Sequence, residues 1–356
     1  MTKINLITSW NIECGIADTT RLLVDELKKY DDININICPV KKIGSRNPLY
    51  FFKLLKKIQK NQITHIQYHS ELFGQFIPHF SLSYFPAVIF FLKFWRKNMI
   101  ITTVHEVDPN SAVDKLIIKF LNLSDRIIAH NIRLINSMGE NGIKKEKLSL
   151  VPLGSSKSKK RDKKWCKNKL GISKKTVLTI FGFVSPNKGH DLVIDILTEL
   201  GEECILIIAG GTKNKEQIEY INSLKAKIST LQLENRVKFL DFVDEKELPI
   251  VACASDIFLY PYRWIVASAA LNLALSYEIP TITSDIDYFK EIKNEYHCIE
   301  LFKNDDRDDL LQKIYGLLES AEKQKYLQNK CRYFLKKTSW TAVGGKTRNL
   351  YLNLLD

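Results

Sequence analysis

No GxGxxG fingerprint, no CxxC pair and no apolar run of membrane-spanning length occurs in this 356-residue chain. Each absence removes a class. Without the glycine triplet, the first strand-to-helix turn, NIECGIAD at Asn11–Asp18, is not a dinucleotide loop. The seven cysteines (Cys14, Cys38, Cys166, Cys204, Cys253, Cys298 and Cys331) are scattered and odd in number, which argues against a disulfide framework or a zinc site. They read as reduced core hydrophobes. The most apolar stretch, Phe85–Leu92, meets Lys93, Arg96 and Lys97 long before the roughly 20 residues a spanning helix needs. MTKINLITSW enters a strand-like pattern without secretory signal architecture. The expectation is a cytoplasmic protein, at most peripheral on the inner face of the cell membrane. Solenoid repeats and the interleaved aromatics of a nucleic-acid module are also missing.

What is present fits two folded domains. Hydrophobic residues make up 45% of the chain, too many for disorder. In the first half, apolar runs at Ile4–Trp10, Ile33–Cys38, Thr64–Tyr68, Met99–Val104 and Arg126–His130 alternate with amphipathic stretches. The second half repeats the scheme at Thr176–Phe181, Cys204–Ala209, Val237–Leu240, Ile257–Tyr260 and Thr281–Thr283. Strands alternating with helices predict a parallel sheet covered on both faces. The fold class is therefore α/β, with two Rossmann-like domains facing each other across a cleft. The expected boundaries are 1–157 for the first domain, 158–170 for a basic linker and 171–337 for the second, with 338–356 packing back on the first.

The formal charge of +13 is uneven. Residues 1–170 hold 29 Lys/Arg and 14 Asp/Glu, and the remainder 24 and 26. The excess gathers in KLLKKIQK (Lys53–Lys60), KFWRK (Lys93–Lys97) and KSKKRDKKWCKNK (Lys157–Lys169). Such a face suits an anionic membrane surface, a lipid-linked pyrophosphate or nucleic acid, or is simply a solvated basic surface.

FGFVSPNKGHD, at Phe181–Asp191, carries the chemistry. A strand ends, Gly182 and Pro186 make a turn, and Lys188 precedes Gly189 and a helix. An ammonium at a helix mouth, beside free N–H groups and the positive dipole end, suits a phosphate. Ser268 reads as the N-cap of a helix after the loop Pro261–Ala267, a second anion site. Gly15 permits a tight turn near a bound diphosphate, with Asp18 as N-cap of the following helix. His105 follows a strand directly and is placed to hydrogen-bond a sugar hydroxyl or move a proton. His69 and Glu71 are similar, weaker candidates on the acceptor side. Asp285-Ile286-Asp287 has the form of a metal-binding DxD, but motifs of that type sit mid-way in a one-domain fold and not in two matched halves, and no metal is expected.

Taken together, the segments CGIAD, HIQYHSELFG, TVHEV, IIAHN, LSLVPLG, FGFVSPNKGHD, LIIAGG, VKFLDFVDEKELPIVACASDIFLYPY, ALNLALSYEIPTITSD and SWTAVGGKTRNLY resemble, in order, the family 4 glycosyltransferases. These are retaining enzymes of GT-B fold. The resemblance implies that Lys188 contacts the donor phosphate, that Gly15 lies beside the diphosphate and that His105 lies near the transferred sugar. It makes His105 and Lys188 the catalytic candidates and adds Ile16, Gly182, Phe242, Ser268 and Ala269 to the donor set. The final helix should cross back to the first domain. Three departures accompany it. Phe183 stands where the family has arginine, and Ile265 and Leu273 stand where it has the glutamates that bind sugar and ribose hydroxyls. Ser268-Ala269 looks like the variant helix start of subgroups without them. The implied function is metal-independent transfer of a sugar from a UDP- or GDP-linked donor to a hydroxyl of a glycan or lipid-linked acceptor. No nucleic acid is expected. The rival readings are a GT-B nucleotide-sugar epimerase and a non-catalytic partner subunit.

Overall fold

A computed structural model of the chain describes every residue except Glu13, Ile43, 75–82, 109–110, Lys174, Lys213, Glu245, 266–267 and Asp356. Glu13 of the first strand–helix loop and the end of the loop Pro261–Ala267 thus lie outside the described residues. Contacts divide the chain into one unit of Met1–Gly154 with Thr338–Asp356 and a second of Ser155–Lys337.

In the first unit, β1 (Thr2–Ser9), β2 (Ile33–Val40), β3 (Ile63–Tyr68), β4 (Met99–Val104), β5 (Arg126–Ala129) and β6 (Leu148–Leu150) form one sheet in the order β2-β1-β3-β4-β5-β6. In the second, β7 (Thr176–Phe181), β8 (Cys204–Ala209), β9 (Val237–Leu240), β10 (Ile257–Tyr260), β11 (Thr281–Ser284) and β12 (Glu300–Phe302) follow the order β12-β11-β10-β7-β8-β9. All neighbours are parallel. β3 and β8 are buried along their whole length, as strands covered on both faces must be. The sequence patterns locate the ten longer strands; β6 and β12, three residues each at sheet edges, are too short to show a period.

The order of each sheet reverses direction once, between β1 and β3 and between β7 and β10. Open α/β sheets bind ligands beyond the carboxyl ends of the strands at such a reversal. Each unit therefore has a position where chemistry is expected.

The first helix, Gly15–Leu27, starts three residues before the expected cap Asp18. Cys14, extended at φ −158°, is the N-cap, and its side chain caps nothing. Asp18 lies in the first turn, where a carboxylate favours the dipole, 3.5 Å from Arg21. Nor does Gly15 serve a left-handed turn: among the described residues of this loop the positive φ is at Asn11 (55°), and a Cβ on Gly15 would stand in open space.

The segment 158–170, expected as a linker, folds onto the second unit. Asp162 caps the helix Lys163–Lys169, whose Cys166 enters an apolar cluster with Phe258 and Phe334. Its lysines serve carboxylates that would otherwise be stranded. Lys163 and Lys167 reach Asp256, which also accepts from Val177 N at 2.8 Å. Lys160 and Arg332 meet the buried Glu278 at 2.9 and 3.0 Å. Part of the charge run is thus paired within the unit, while Lys159, Lys164 and Lys169 are exposed.

Helix Trp340–Leu352, capped by Ser339, belongs to the first unit and packs on Gly15–Leu27. Gly344 permits the approach, since a Cβ there would lie 2.6 Å from Glu26 Cγ. Arg348 Nε donates to Asp32 at 3.0 Å. All seven cysteines are free thiols.

Candidate functional site

The second unit's site is built on the ends of β7 and β10. After β7 the backbone turns through Gly182 at φ +115°, where a Cβ would meet Lys188 Nζ at 3.3 Å and Ala270 Cβ at 3.5 Å. Pro186–Lys188 forms a 3₁₀ turn closed by Gly189 at φ +65°. Gly189 is required twice over, by that left-handed backbone and because a Cβ would lie 2.1 Å from the Pro261 carbonyl oxygen. The turn directs Lys188 Nζ inward, to donate to the Tyr262 hydroxyl at 2.9 Å. The ammonium also lies 4.3 Å from the Tyr262 ring centroid. Burial, with no carboxylate to offset it, pushes Lys188 down to about 8. A desolvated ammonium without an anionic partner is poised for one supplied by a ligand.

Ser268 caps the helix Ala269–Ser276, accepting from Leu271 N at 3.1 Å, and its hydroxyl also bonds the Tyr262 phenol. Lys188, Tyr262, Ser268 and Gly182 thus form one connected group. His190, fully buried behind it, is pushed down to about 3, chiefly by burial, so no second charge competes with the ammonium.

Arg263 fixes the turn in place. Its N–H donates to Asn187 O at 2.8 Å and its Nη1 to Pro186 O at 2.9 Å. The guanidinium also clamps Asp191 at 2.8 Å and Asp305 at 3.0 Å. Burial works to raise the Asp191 carboxyl, but hydrogen bonds from Arg263 and Tyr220 outweigh it and hold it at about 2. Arg263 is therefore spent on carboxylates and cannot replace the charge missing at Phe183. Arg263→Ala is expected to loosen the Lys188 turn and weaken binding of a phosphate-bearing ligand about tenfold, the worth of one charge-assisted bond. Calorimetric titration with a nucleoside diphosphate checks this.

The first unit's site lies at the ends of β3, β4 and β5. His65 and Gln67 share a face of β3, as alternate residues do. His105 Nε2 bonds Gln67 Oε1 at 2.7 Å, and Gln67 Nε2 lies 3.4 Å from His65 Nε2. His65 is held further by Thr103 Oγ1 and by the Tyr351 hydroxyl, both at 2.7 Å. One proton arrangement satisfies the chain: Gln67 accepts from His105 Nε2–H and donates to His65, leaving His105 Nδ1 as an acceptor. The His130 ring centroid lies 5.1 Å from that of His105, tilted by 53°, and its Nδ1 bonds Val151 O at 2.9 Å. Burial, then the neighbouring imidazoles, holds His105 well below the usual histidine range, and burial pushes His65 to about 3. At neutral pH His105 is an uncharged hydrogen-bond acceptor.

His69 stands apart from this chain. Its Nε2 lies 3.4 Å from Glu106, whose hydrogen bond raises the imidazole, and its Nδ1 accepts from Glu71 N at 3.3 Å. Glu71 is the second residue of the short 3₁₀ turn Ser70–Phe73 and is exposed. Ile16 packs against the first unit's core. Phe242 is 78% exposed and outside the Lys188 group, and Ala269 is the first residue of the Ser268-capped helix. Ile265 and Leu273 pack against the apolar cluster of the second unit. Asp285 accepts from Asn304 N at 2.8 Å and pairs with Lys290 at 3.2 Å, so this carboxylate closes a loop.

Sequence reasoning passed over Gln67, His65, Thr103, Tyr262, Arg263 and Tyr351. The spacing His65-x-Gln67 in β3 is a usable signal, since it sets two polar side chains on one buried face of the strand. Nothing local marked Tyr351, which comes from the other end of the chain.

Residues 162–333 match the family described as glycosyl transferases group 1, a match confined to the second unit. The mannosylfructose-phosphate synthase of Agrobacterium fabrum is 28% identical over 153 residues, covering 40% of this chain and 34% of that protein. The fold is shared over nearly full length with Anabaena HepE solved with UDP and glucose (TM-score 0.78, 16% identity, 99% of this chain and 100% of that one). The sucrose-phosphate synthase of Thermosynechococcus elongatus is similar (TM-score 0.77, 13% identity, 100% and 99%). The architecture is GT-B, two Rossmann-like units each built on a six-stranded parallel sheet.

Proposed function

We propose that the protein is a retaining, family 4-type glycosyltransferase. It moves a sugar from a UDP- or GDP-linked donor to a hydroxyl of a glycan or lipid-linked acceptor in cell-surface polysaccharide biosynthesis. The observation that carries this is Lys188, an ammonium desolvated at the β7/β10 reversal beside a serine-capped helix start. The likeness to glycosyl transferases group 1 and to a fold relative solved with UDP supports the same reading.

Lys188 and the first-turn N–H groups after Ser268 hold the donor diphosphate and stabilise the negative charge that builds as it departs. Neutral His105 accepts a hydrogen bond from a hydroxyl of the transferred sugar through Nδ1. The departing phosphate takes the proton of the acceptor hydroxyl as that oxygen attacks on the same face, so no protein nucleophile is required. We place the acceptor with the first unit, near His69 and Glu71, and the protein on the cytoplasmic side of the membrane. No metal enters this scheme.

One observation favours a second reading, a non-catalytic partner subunit. Ile265 and Leu273 contribute apolar packing where hydroxyl-binding carboxylates would stand. A thermal-shift panel of UDP- and GDP-sugars in EDTA separates the two. Binding at 100 times Kd should add about 2.7 kcal/mol of stability. A clear shift with one donor is expected; no shift with any of them, and no turnover, would leave the partner subunit as the better account.

A further inference from the structure

The first unit carries an apolar groove of about 760 Å³ on the side of three helices, lined among others by Leu49, Phe52, Pro86, Phe91, Leu116 and Phe120. Its walls are the helix Pro48–Lys56, the helix Phe85–Phe90 with its π-helical continuation Phe91–Trp95, and the helix Ala112–Leu121. Large side chains stand out from these walls instead of closing over the groove. Leu49 is 64% exposed, Phe94 53% and Trp95 71%, with Phe52 and Phe90 both at 49%. Leu49, Phe52 and Phe91 line the groove, the Trp95 ring lies 5.6 Å from that of Phe91, and Phe94 pairs with Phe90 at 4.6 Å on the same helical wall. Scattered exposed hydrophobics are ordinary, but a set linked to a groove in this way marks a contact surface.

Charge identifies the partner. Between Ile33 and His105 the chain has ten lysines and arginines and one acid, Glu71. Lys53, Lys56, Lys57, Lys60 and Lys97 are exposed beside the groove, and Lys56 lies over the Phe52 ring at 4.8 Å. The third basic segment belongs to the second unit, where Lys160, Lys163 and Lys167 are paired with Glu278 and Asp256. A second copy of the chain fits poorly, since a two-fold contact would set this basic surface against itself.

We propose that this face docks the protein onto an anionic phospholipid bilayer. Phe52, Phe94 and Trp95 enter the interface, and the lysines of 53–60 meet lipid phosphates. Aromatic side chains with a polar neighbour favour that depth, and basic residues add attraction that salt weakens. The inference deepens the proposed function by naming the surface that brings a lipid-linked acceptor to the enzyme. It rests on that reading only for the acceptor.

The test is co-sedimentation of the full chain with vesicles of phosphatidylglycerol and phosphatidylcholine, against phosphatidylcholine alone, at low and high salt. Binding only to the anionic vesicles is expected, falling at high salt, with Trp95 fluorescence quenched by brominated lipid. The surface triple variant Phe52→Ser, Phe94→Ser, Trp95→Ser should partition at least tenfold less while binding a nucleotide sugar as the wild type does. Absent vesicle binding, or binding that the triple variant leaves unchanged, overturns the proposal. So does a dimer in sedimentation velocity that the triple variant dissociates, which would assign the face to a second copy. Donor turnover measured in parallel keeps the two readings apart. Transfer without vesicle binding removes only the docking face; vesicle binding through these residues without turnover removes only the transferase.

Discussion

Replacing Lys188 by methionine is expected to abolish useful turnover and, at the same time, to make the protein more stable. Turnover should fall about 10²–10³-fold, the effect of removing one group that stabilises developing charge. Donor affinity should weaken roughly 10- to 100-fold, the worth of one charge-assisted bond. The stability gain follows from linkage. The lysine ionises near 10.5 when unfolded and at about 8 when folded. Between those values the unfolded chain binds more protons, so stability rises with pH across that window, and below about 8 the whole cost of the buried ammonium is present. That cost is about 3 kcal/mol. Losing the bond to Tyr262 returns about 1 kcal/mol of it, and Ser268 still partners the phenol. A net gain of about 2 kcal/mol should raise the unfolding midpoint at pH 7 by roughly 4–8 °C. Scanning calorimetry and donor titration on one preparation check both halves. Wild-type donor affinity should decline above about pH 8 as the ammonium is lost. Unchanged stability with lost activity would mean that the lysine is not desolvated as described.

Gln67 should matter almost as much, although it contacts no substrate in the scheme. Its carbonyl holds the Nε2 proton of His105, so it decides which ring nitrogen is free to accept. Gln67→Leu should lower kcat about 10²-fold, the scale of a misplaced contact, with donor KM within about threefold. Gln67→Glu separates this positioning role from simple packing. A carboxylate there raises the His105 pKa, giving an imidazolium that cannot accept a hydrogen bond. Activity of the glutamate variant should therefore recover as pH rises, whereas the leucine variant stays low throughout. Parallel pH profiles for the two variants would exclude the role.

The parallel sheets were readable because their interior strands are short segments rich in β-branched and apolar residues that alternate with amphipathic helical stretches, which leave few alternatives. Lys188 was readable because a phosphate-type turn compresses its logic into a few neighbouring residues. The rest of the second site was only partly so. Ser268 announced itself as a cap, but Tyr262 and Arg263 act through space across the β7/β10 reversal, and no local pattern marks such a partnership. The basic segment 158–170 was readable only as charge and a candidate short helix: composition does not show that Asp256 and Glu278 take ion pairs from it. His105 follows β4 directly, as the sequence implies, yet its protonation depends first on burial and then on His130, His69 and His65, and its tautomer on Gln67, which no local pattern marks.

The contribution of helix Trp340–Leu352 to the first unit has a consequence for how the chain is made. Val343, Thr347 and Tyr351 fill the face against Gly15–Leu27, so that layer of the first unit stays open until residue 351 has left the ribosome. The second unit is continuous from Ser155 to Lys337 and has all its parts earlier. The later half of the chain is thus free to reach its native state first, reversing the usual N-terminal-first order of synthesis. An uncovered helix face and the unsatisfied His65–Tyr351 contact make the nascent first unit the part most in need of a chaperone.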